Sequence, residues 1–231
     1  MHYQKVITSI LMDESIIIKV DELPPKEQIT NVLTGGKFLT YSSTYKTCCV
    51  GWVDIVESTK ITSKLSKSKV SPFYCLFLNQ MSSIVGESGG IVVKNVGDSL
   101  LFYFPETSNN LDRSAIANAI DCGIKMIDYH QILNSLMLEI GLPSVNYRVS
   151  LDYGEVMITK PESSSNDDIF GSTVNLCAKM NKMAAPNTLV VGGDLYQIVK
   201  SFEGFRFESK SEYHNGLRFH YPVYSVVIEK F

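Results

Sequence analysis

The chain has 231 residues, 45% apolar and 19% charged, enough for one large domain with an ordinary core, or a domain with an appendage. A formal net charge of −3 supplies no basic field, so nucleic-acid binding has no electrostatic support. No apolar run approaches the roughly 20 residues that span a bilayer, and the opening Met-His-Tyr-Gln-Lys lacks the apolar stretch of a signal peptide. Five cysteines (Cys48, Cys49, Cys75, Cys122 and Cys177) make an odd count with no Cys-x-x-Cys pair. Neither a disulfide framework nor a zinc site follows, and a reducing cytoplasm is the expected setting. The four histidines are scattered and read as surface or structural.

Residues 1–44 read as a lead-in segment and 45–231 as the main domain. Within the lead-in, residues 1–22 stay open between strand and helix. Leu23-Pro24-Pro25 then places proline in the first turn of a helix that ends before Gly35-Gly36, a packing segment or a dimerisation element. A strand is expected over residues 47–55, with a helix starting at Glu57-Ser58-Thr59-Lys60 just past Asp54. Ser71 as N-cap and Pro72 at the first helical position open a second helix. Phe73, Phe77, Met81 and Ile84 recur along it at helical spacing, and the stretch from Gly86 to Gly90 stops it. Strands over 91–96 and 99–104 meet in a hairpin at Gly97-Asp98. Residues 114–138 read as one long amphipathic helix with Ile116, Ile120, Ile124, Ile127 and Leu133 inside.

Next, residues 147–158 read as two strands turning at Tyr153-Gly154, and 160–168 as a polar loop. A helix over 173–183, a strand over 188–191, a helix from Asp194 and strands over 203–208 and 217–228 complete the chain. The order is α+β, with antiparallel hairpins and helices packed on a sheet. Regular βα alternation with a glycine-rich first turn is missing, which argues against a dinucleotide-binding fold. The chain has no G-x-x-x-x-G-K-[ST], so P-loop chemistry is excluded.

Two aspartates interrupt apolar runs: Asp54 in Val-Gly-Trp-Val-Asp-Ile-Val, and Asp98 between Ile91-Val-Val-Lys-Asn-Val and Leu-Leu-Phe-Tyr-Phe. Singly, each has an ordinary explanation, a helix cap for Asp54 and a turn residue for Asp98. Together they place two carboxylates on neighbouring strand ends, where they repel unless a divalent cation sits between them. The helix start at Val56, Glu57, Ser58 and Thr59 adds backbone N–H donors, a seat for phosphate oxygens. A second informative stretch is Asp168-Ile-Phe-Gly-Ser-Thr-Val-Asn175-Leu-Cys-Ala-Lys179. Asn175 and Lys179 are four apart and share one helix face, away from Leu176 and Met180.

These stretches resemble class III nucleotidyl cyclases, the adenylate/guanylate cyclase homology domains, and in flavour the stand-alone archaeal members. Val-Asp54-Ile-Val-Glu-Ser-Thr is similar to the first metal-aspartate motif, and Lys94-Asn-Val-Gly-Asp98 to the Lys-x-x-Gly-Asp motif. Tyr147 to Val156 resembles the following Arg-containing hairpin, and Asp168 to Asn175 the motif of a base-contacting aspartate and a transition-state asparagine. The likeness runs from about Leu23 to Val227.

The resemblance implies a ferredoxin-like βαββαβ core and conversion of ATP to 3′,5′-cyclic AMP and pyrophosphate. Two Mg²⁺ or Mn²⁺ ions would sit on Asp54, Asp98 and the Ile55 carbonyl, in a two-metal scheme. Lys94 and Asp168 would read the base, Asn175 would orient the ribose, and Lys179 would stabilise the α-phosphate. The family's site forms between two chains, with metals from one and base and phosphate residues from the other. A homodimer with two sites is therefore implied.

Two departures stand out. Lys179 occupies a position usually held by arginine, keeping the charge but losing the bidentate fork. Glu57 sits where the family often has a small residue. A further phosphate-contacting lysine near the C-terminal strands has only Lys210 and Arg218 as candidates. These departures motivate the alternative of a nucleotide-binding or regulatory domain without turnover. Val191-Gly192-Gly193-Asp194 is similar to the core of diguanylate cyclases, but Leu195-Tyr196 follow, and the reading is a turn with Asp194 as N-cap.

Overall fold

The computed structural model describes residues 41–108, 113–161, 167–210 and 221–228. The expectations for residues 1–22 and for the helix after Pro24 lie outside them, as does Arg218. The described residues from Tyr41 onward form one compact unit, and its first strand, β1 (Tyr41–Ile55), begins inside the lead-in expected at 1–44. The elements that follow are α1 (Ser58–Thr62), α2 (Lys67–Glu87), β2 (Ile91–Val96), β3 (Ser99–Phe104), α3 (Arg113–Asp128) and α4 (His130–Glu139). Then come β4 (Tyr147–Pro161), β5 (Asp168–Phe170), α5 (Ser172–Asn181), β6 (Leu189–Gly192), α6 (Gly193–Val199), β7 (Phe205–Ser209) and β8 (Val223–Ile228).

The strands make one sheet in the order β2-β3-β1-β4-β6-β8-β7, with β5 also paired to β4. Among the described strands only β4 and β6 pair in parallel. Its first four strands carry the expected ferredoxin-like βαββαβ order, with β1 in the middle of the site-bearing half. No helix among the described residues is long and apolar enough to cross a membrane.

Alternation along β1 divides the core in two. Cys49, Val53 and Ile55 face the larger cluster, where Phe73, Phe77 and Met81 of α2 meet Ile116, Ile120 and Met126 of α3. Cys48 and Val50 face the other side, packed with Val174, Cys177 and Met180 of α5. Asp54 has the parity of Cys48 and Val50, so the strand's pleat turns it toward the α5 side of the sheet.

Several expectations are corrected. Residues 147–158 are not a hairpin but part of one strand, paired without interruption to β1 from Tyr147 opposite Ile55 to Pro161 opposite Tyr41. Gly154 marks a close approach rather than a turn: a Cβ there would stand 2.5 Å from Thr173 Oγ1 in the first turn of α5. The helix of 114–138 is two helices, separated at Tyr129, whose ψ of −9° departs from helical geometry. Pro72 lies inside α2, which starts at Lys67. The carbonyl it leaves without a partner belongs to exposed Ser68, where water can satisfy it. The loop expected over 160–168 ends in β5, and Tyr221 and Pro222 precede the last strand instead of belonging to it.

Candidate active site

Asp54 and Asp98 line one cavity of about 520 Å³. The sheet register brings them together: Asp54 pairs with Ser99 across β1 and β3, and Asp98 is the residue before Ser99 in the β2–β3 turn. That turn has two residues, with φ of +65° at Gly97 and no positive φ at Asp98, the hairpin pattern that follows the strand twist. Asp54 caps no helix; its Oδ1 accepts a hydrogen bond from Ser99 Oγ at 2.5 Å. Burial pushes the Asp54 carboxyl up from its ordinary value; the Ser99 bond opposes this, Asp98 adds to it, and Arg148 and Lys182 oppose it. Two acids share one partly buried space.

The same cavity receives three cations: Arg148, Lys179 and Lys182. Sequence reasoning assigned no role to Arg148 or Lys182. Arg148 lies opposite Asp54 in the β1–β4 register, and its Nε is buried without a hydrogen-bond partner. Lys179 and Lys182 are carried by the end of α5, and buried Asn181 holds that end down. Its Nδ2 donates to the Trp52 carbonyl at 3.1 Å and the Arg148 carbonyl at 3.0 Å, tying α5 to β1 and β4. Ser150 Oγ adds a bond to the Cys177 carbonyl at 2.9 Å. Family resemblance put Lys179 across from the metal aspartates, whereas here it lines the cavity of its own chain's aspartates, because this docking hangs the end of α5 over them. Asn175, one turn earlier, is exposed and lies outside the cavity wall.

The other expected pair is formed elsewhere on the chain. Lys94 Nζ and Asp168 Oδ2 are 2.6 Å apart, and neither lines the Asp54 cavity. Asp168 is fixed by the N–H of Ile169 on its Oδ1 at 2.8 Å, while Lys94 stands 5.4 Å from the Phe170 ring centre. An ammonium and a carboxylate thus sit side by side, offering one donor and one acceptor.

The phosphate seat is smaller than expected. The Val56 N–H is taken by the Asn146 carbonyl at 2.8 Å, and Val56 does not line the cavity; Ile55, Glu57, Ser58 and Thr59 do. Glu57 adopts φ of +54°, and its carboxylate pairs with Lys60 at 3.1 Å on the exposed side. Lys210 follows the last residue of β7 and lies outside the cavity wall. Gly192-Gly193-Asp194 forms no hairpin: β6 runs directly into α6, with Gly192, not Asp194, as N-cap. Gly192 is required there by buried Asp152, since a Cβ would stand 2.3 Å from its Oδ1.

The donor set suits a hard divalent cation: two carboxylates, one with its ionised form disfavoured by burial and by the other acid, beside the Ile55 backbone. Among the described residues no group of three or more His, Cys, Asp or Glu forms a closed cage. Such a site matches Mg²⁺ or Mn²⁺ held by one or two carboxylates, with water and phosphate as further ligands.

Comparison with known proteins bears on the family and the fold. Residues 40–218 match the model of the adenylate and guanylate cyclase catalytic domain. An uncharacterized protein of Mycobacterium tuberculosis is 26% identical over 149 residues, 64% of this chain and 33% of its own length. A cytidylate cyclase of Staphylococcus aureus is 25% identical over 177 residues, 72% of this chain and 41% of its own. The chain thus spans well under half the length of these curated relatives. The crystal structure of the adenylyl cyclase CyaB from P. aeruginosa superposes with a TM-score of 0.72 at 20% identity, covering 82% of this chain and 97% of that one. With the fold, the paired aspartates and the family match in agreement, the chain belongs to the adenylate and guanylate cyclase catalytic domain family, the class III nucleotidyl cyclases.

Proposed function

We propose that this domain converts ATP to 3′,5′-cyclic AMP and pyrophosphate in a metal-dependent reaction at a homodimer interface. The observation that carries the reading is the convergence of Asp54 and Asp98 with Arg148 and Lys179 on one cavity. Asp54, Asp98 and the Ile55 carbonyl would hold two Mg²⁺ or Mn²⁺ ions, which when bound lower the pKa of the ribose 3′-hydroxyl and neutralise the triphosphate. Arg148 and Lys179 offer hydrogen bonds to phosphate oxygens, and Ser58 and Thr59 add the first-turn N–H groups of α1.

The homodimer is supported by the separation of the Lys94–Asp168 pair from the cavity of its own chain. A second copy related by two-fold symmetry would bring that pair, and Asn175, to the sugar and base. On adenine, Lys94 donates to N1 while Asp168 accepts from the 6-amino group; guanine, with a carbonyl there, is repelled. Cytosine offers the same acceptor beside an amino group, and the cytidylate cyclase relative makes CTP the second reading. Incubation with Mn²⁺ and each of the four nucleoside triphosphates, followed by chromatography of the products, tests both. Cyclic AMP as main product supports the first reading and cyclic CMP the second. No cyclic product from any of the four refutes the cyclase assignment.

A further inference from the structure

Lys182 lines the cavity and, among the described residues, no hydrogen bond or ion pair of its side chain accounts for it. It caps the C-terminal end of α5, one turn beyond Lys179, and its side chain is exposed. Its ammonium has no hydrogen bond or ion pair with any described residue, while Glu57 pairs with Lys60 and Asp54 accepts from Ser99. Yet it lines the same cavity as Asp54, Asp98, Ser58 and Thr59, and its charge is felt at the Asp54 carboxyl. The residue before it, Asn181, is buried and bonded to the carbonyls of Trp52 and Arg148, so the backbone of Lys182 is anchored rather than loose. A flexible cation on a fixed stem, beside two acids suited to divalent ions, is placed for an anion that arrives with those ions.

We propose that Lys182 contacts phosphate oxygens of the bound triphosphate and of the pyrophosphate it leaves, from the same chain that supplies Asp54 and Asp98. The inference rests on the cyclase reading and extends it. The phosphate grip left incomplete by Lys179 and by the position of Lys210 is completed in cis, by the end of α5. A competing role, in which Lys182 only balances the charge of Asp54, predicts a different response to its removal. Deleting a mere counter-ion changes metal binding and leaves phosphate binding alone; deleting a phosphate contact weakens phosphate binding while metal binding holds or tightens.

Isothermal titration calorimetry on the whole chain separates these outcomes, using wild type, Lys182→Gln and Lys182→Arg. The titrants are Mn²⁺ alone, then 3′-deoxy-ATP, which lacks the attacking hydroxyl, and inorganic pyrophosphate, both with saturating Mn²⁺. The expected result is about tenfold weaker binding of both phosphate ligands by Lys182→Gln, which is about 1.4 kcal/mol. Lys182→Arg recovers most of it, and Mn²⁺ alone binds Lys182→Gln at least as tightly as wild type. If wild type and Lys182→Gln bind the two phosphate ligands equally, the lysine assignment is overturned while the cyclase reading stands. Equal weakening of Mn²⁺ and both phosphate ligands in Lys182→Gln and Lys182→Arg overturns it too, in favour of a structural role. Failure of wild type to bind either 3′-deoxy-ATP or pyrophosphate with Mn²⁺ overturns both.

Discussion

Replacing Asp152 by asparagine should remove most of one pH-dependent component of this domain's stability. Asp152 lies on β4 and is 1% exposed. The Tyr221 hydroxyl donates to its carboxyl from 2.9 Å, the Tyr153 N–H donates to Oδ1 at 2.9 Å, and the Asp194 N–H donates in turn to Tyr221. Burial pushes the Asp152 carboxyl up to about 7 from an ordinary 3.8; the Tyr153 and Tyr221 bonds oppose that rise, and the Asp194 charge adds to it. The fold therefore prefers the neutral form. Between about pH 4 and 7 the folded chain keeps a proton that the unfolded chain has released, so this group's contribution falls as pH rises through that window. At about 1.4 kcal/mol per pH unit the whole window amounts to about 4 kcal/mol, and the span from pH 5 to 8 to about 2–3 kcal/mol. Asparagine keeps an acceptor for the Tyr153 N–H and cannot ionise. Urea denaturation of both proteins at pH 5, 6, 7 and 8 measures the effect. Asp152→Asn should gain about 2–3 kcal/mol relative to wild type between pH 5 and 8. Parallel pH profiles for the two proteins would show that Asp152 stays ionised in the fold, and the reasoning would fail.

Asp98→Asn should lower kcat/KM with Mn²⁺ by on the order of 10²–10³ while leaving the melting temperature nearly unchanged, since the side chain sits in a half-exposed turn. Calorimetric melting and a steady-state assay with the preferred nucleotide check both halves. Lys179→Arg should raise kcat, on the order of tenfold, by restoring a bidentate fork to the phosphate. A fall in kcat would mean that the cavity is shaped for an ammonium. Gly154→Ala should cost about 1–3 kcal/mol in urea denaturation, because the new Cβ meets Thr173 Oγ1 at 2.5 Å. Adding Thr173→Ala should return part of that loss, and no recovery would place the strain elsewhere.

Much of the site was legible along the chain because its signals are local. An aspartate inside a β-branched run, a Gly-Asp pair between two apolar runs, and Asn175 four residues before Lys179 are each short-range patterns, where strand and helix periods apply. From these the paired acids, the β2–β3 hairpin and the polar face of α5 follow without coordinates. β4 was misread for an equally local reason: Gly154 looks the same whether the chain turns there or another element packs close, and Thr173 is 19 residues away.

What the sequence alone determined is the fold class, the order of most elements and the two carboxylates that meet in the cavity. Which cations face those carboxylates was decided by tertiary structure. Arg148 is set opposite Asp54 by a fifteen-residue register between β1 and β4, and Asn181 pins α5 through a carbonyl 129 positions away. That pin fixes the backbone from which Lys182 lines the cavity. Charge on a surface helix carries no periodic mark of its target, so its role emerges only when distant backbone groups fix where the helix ends.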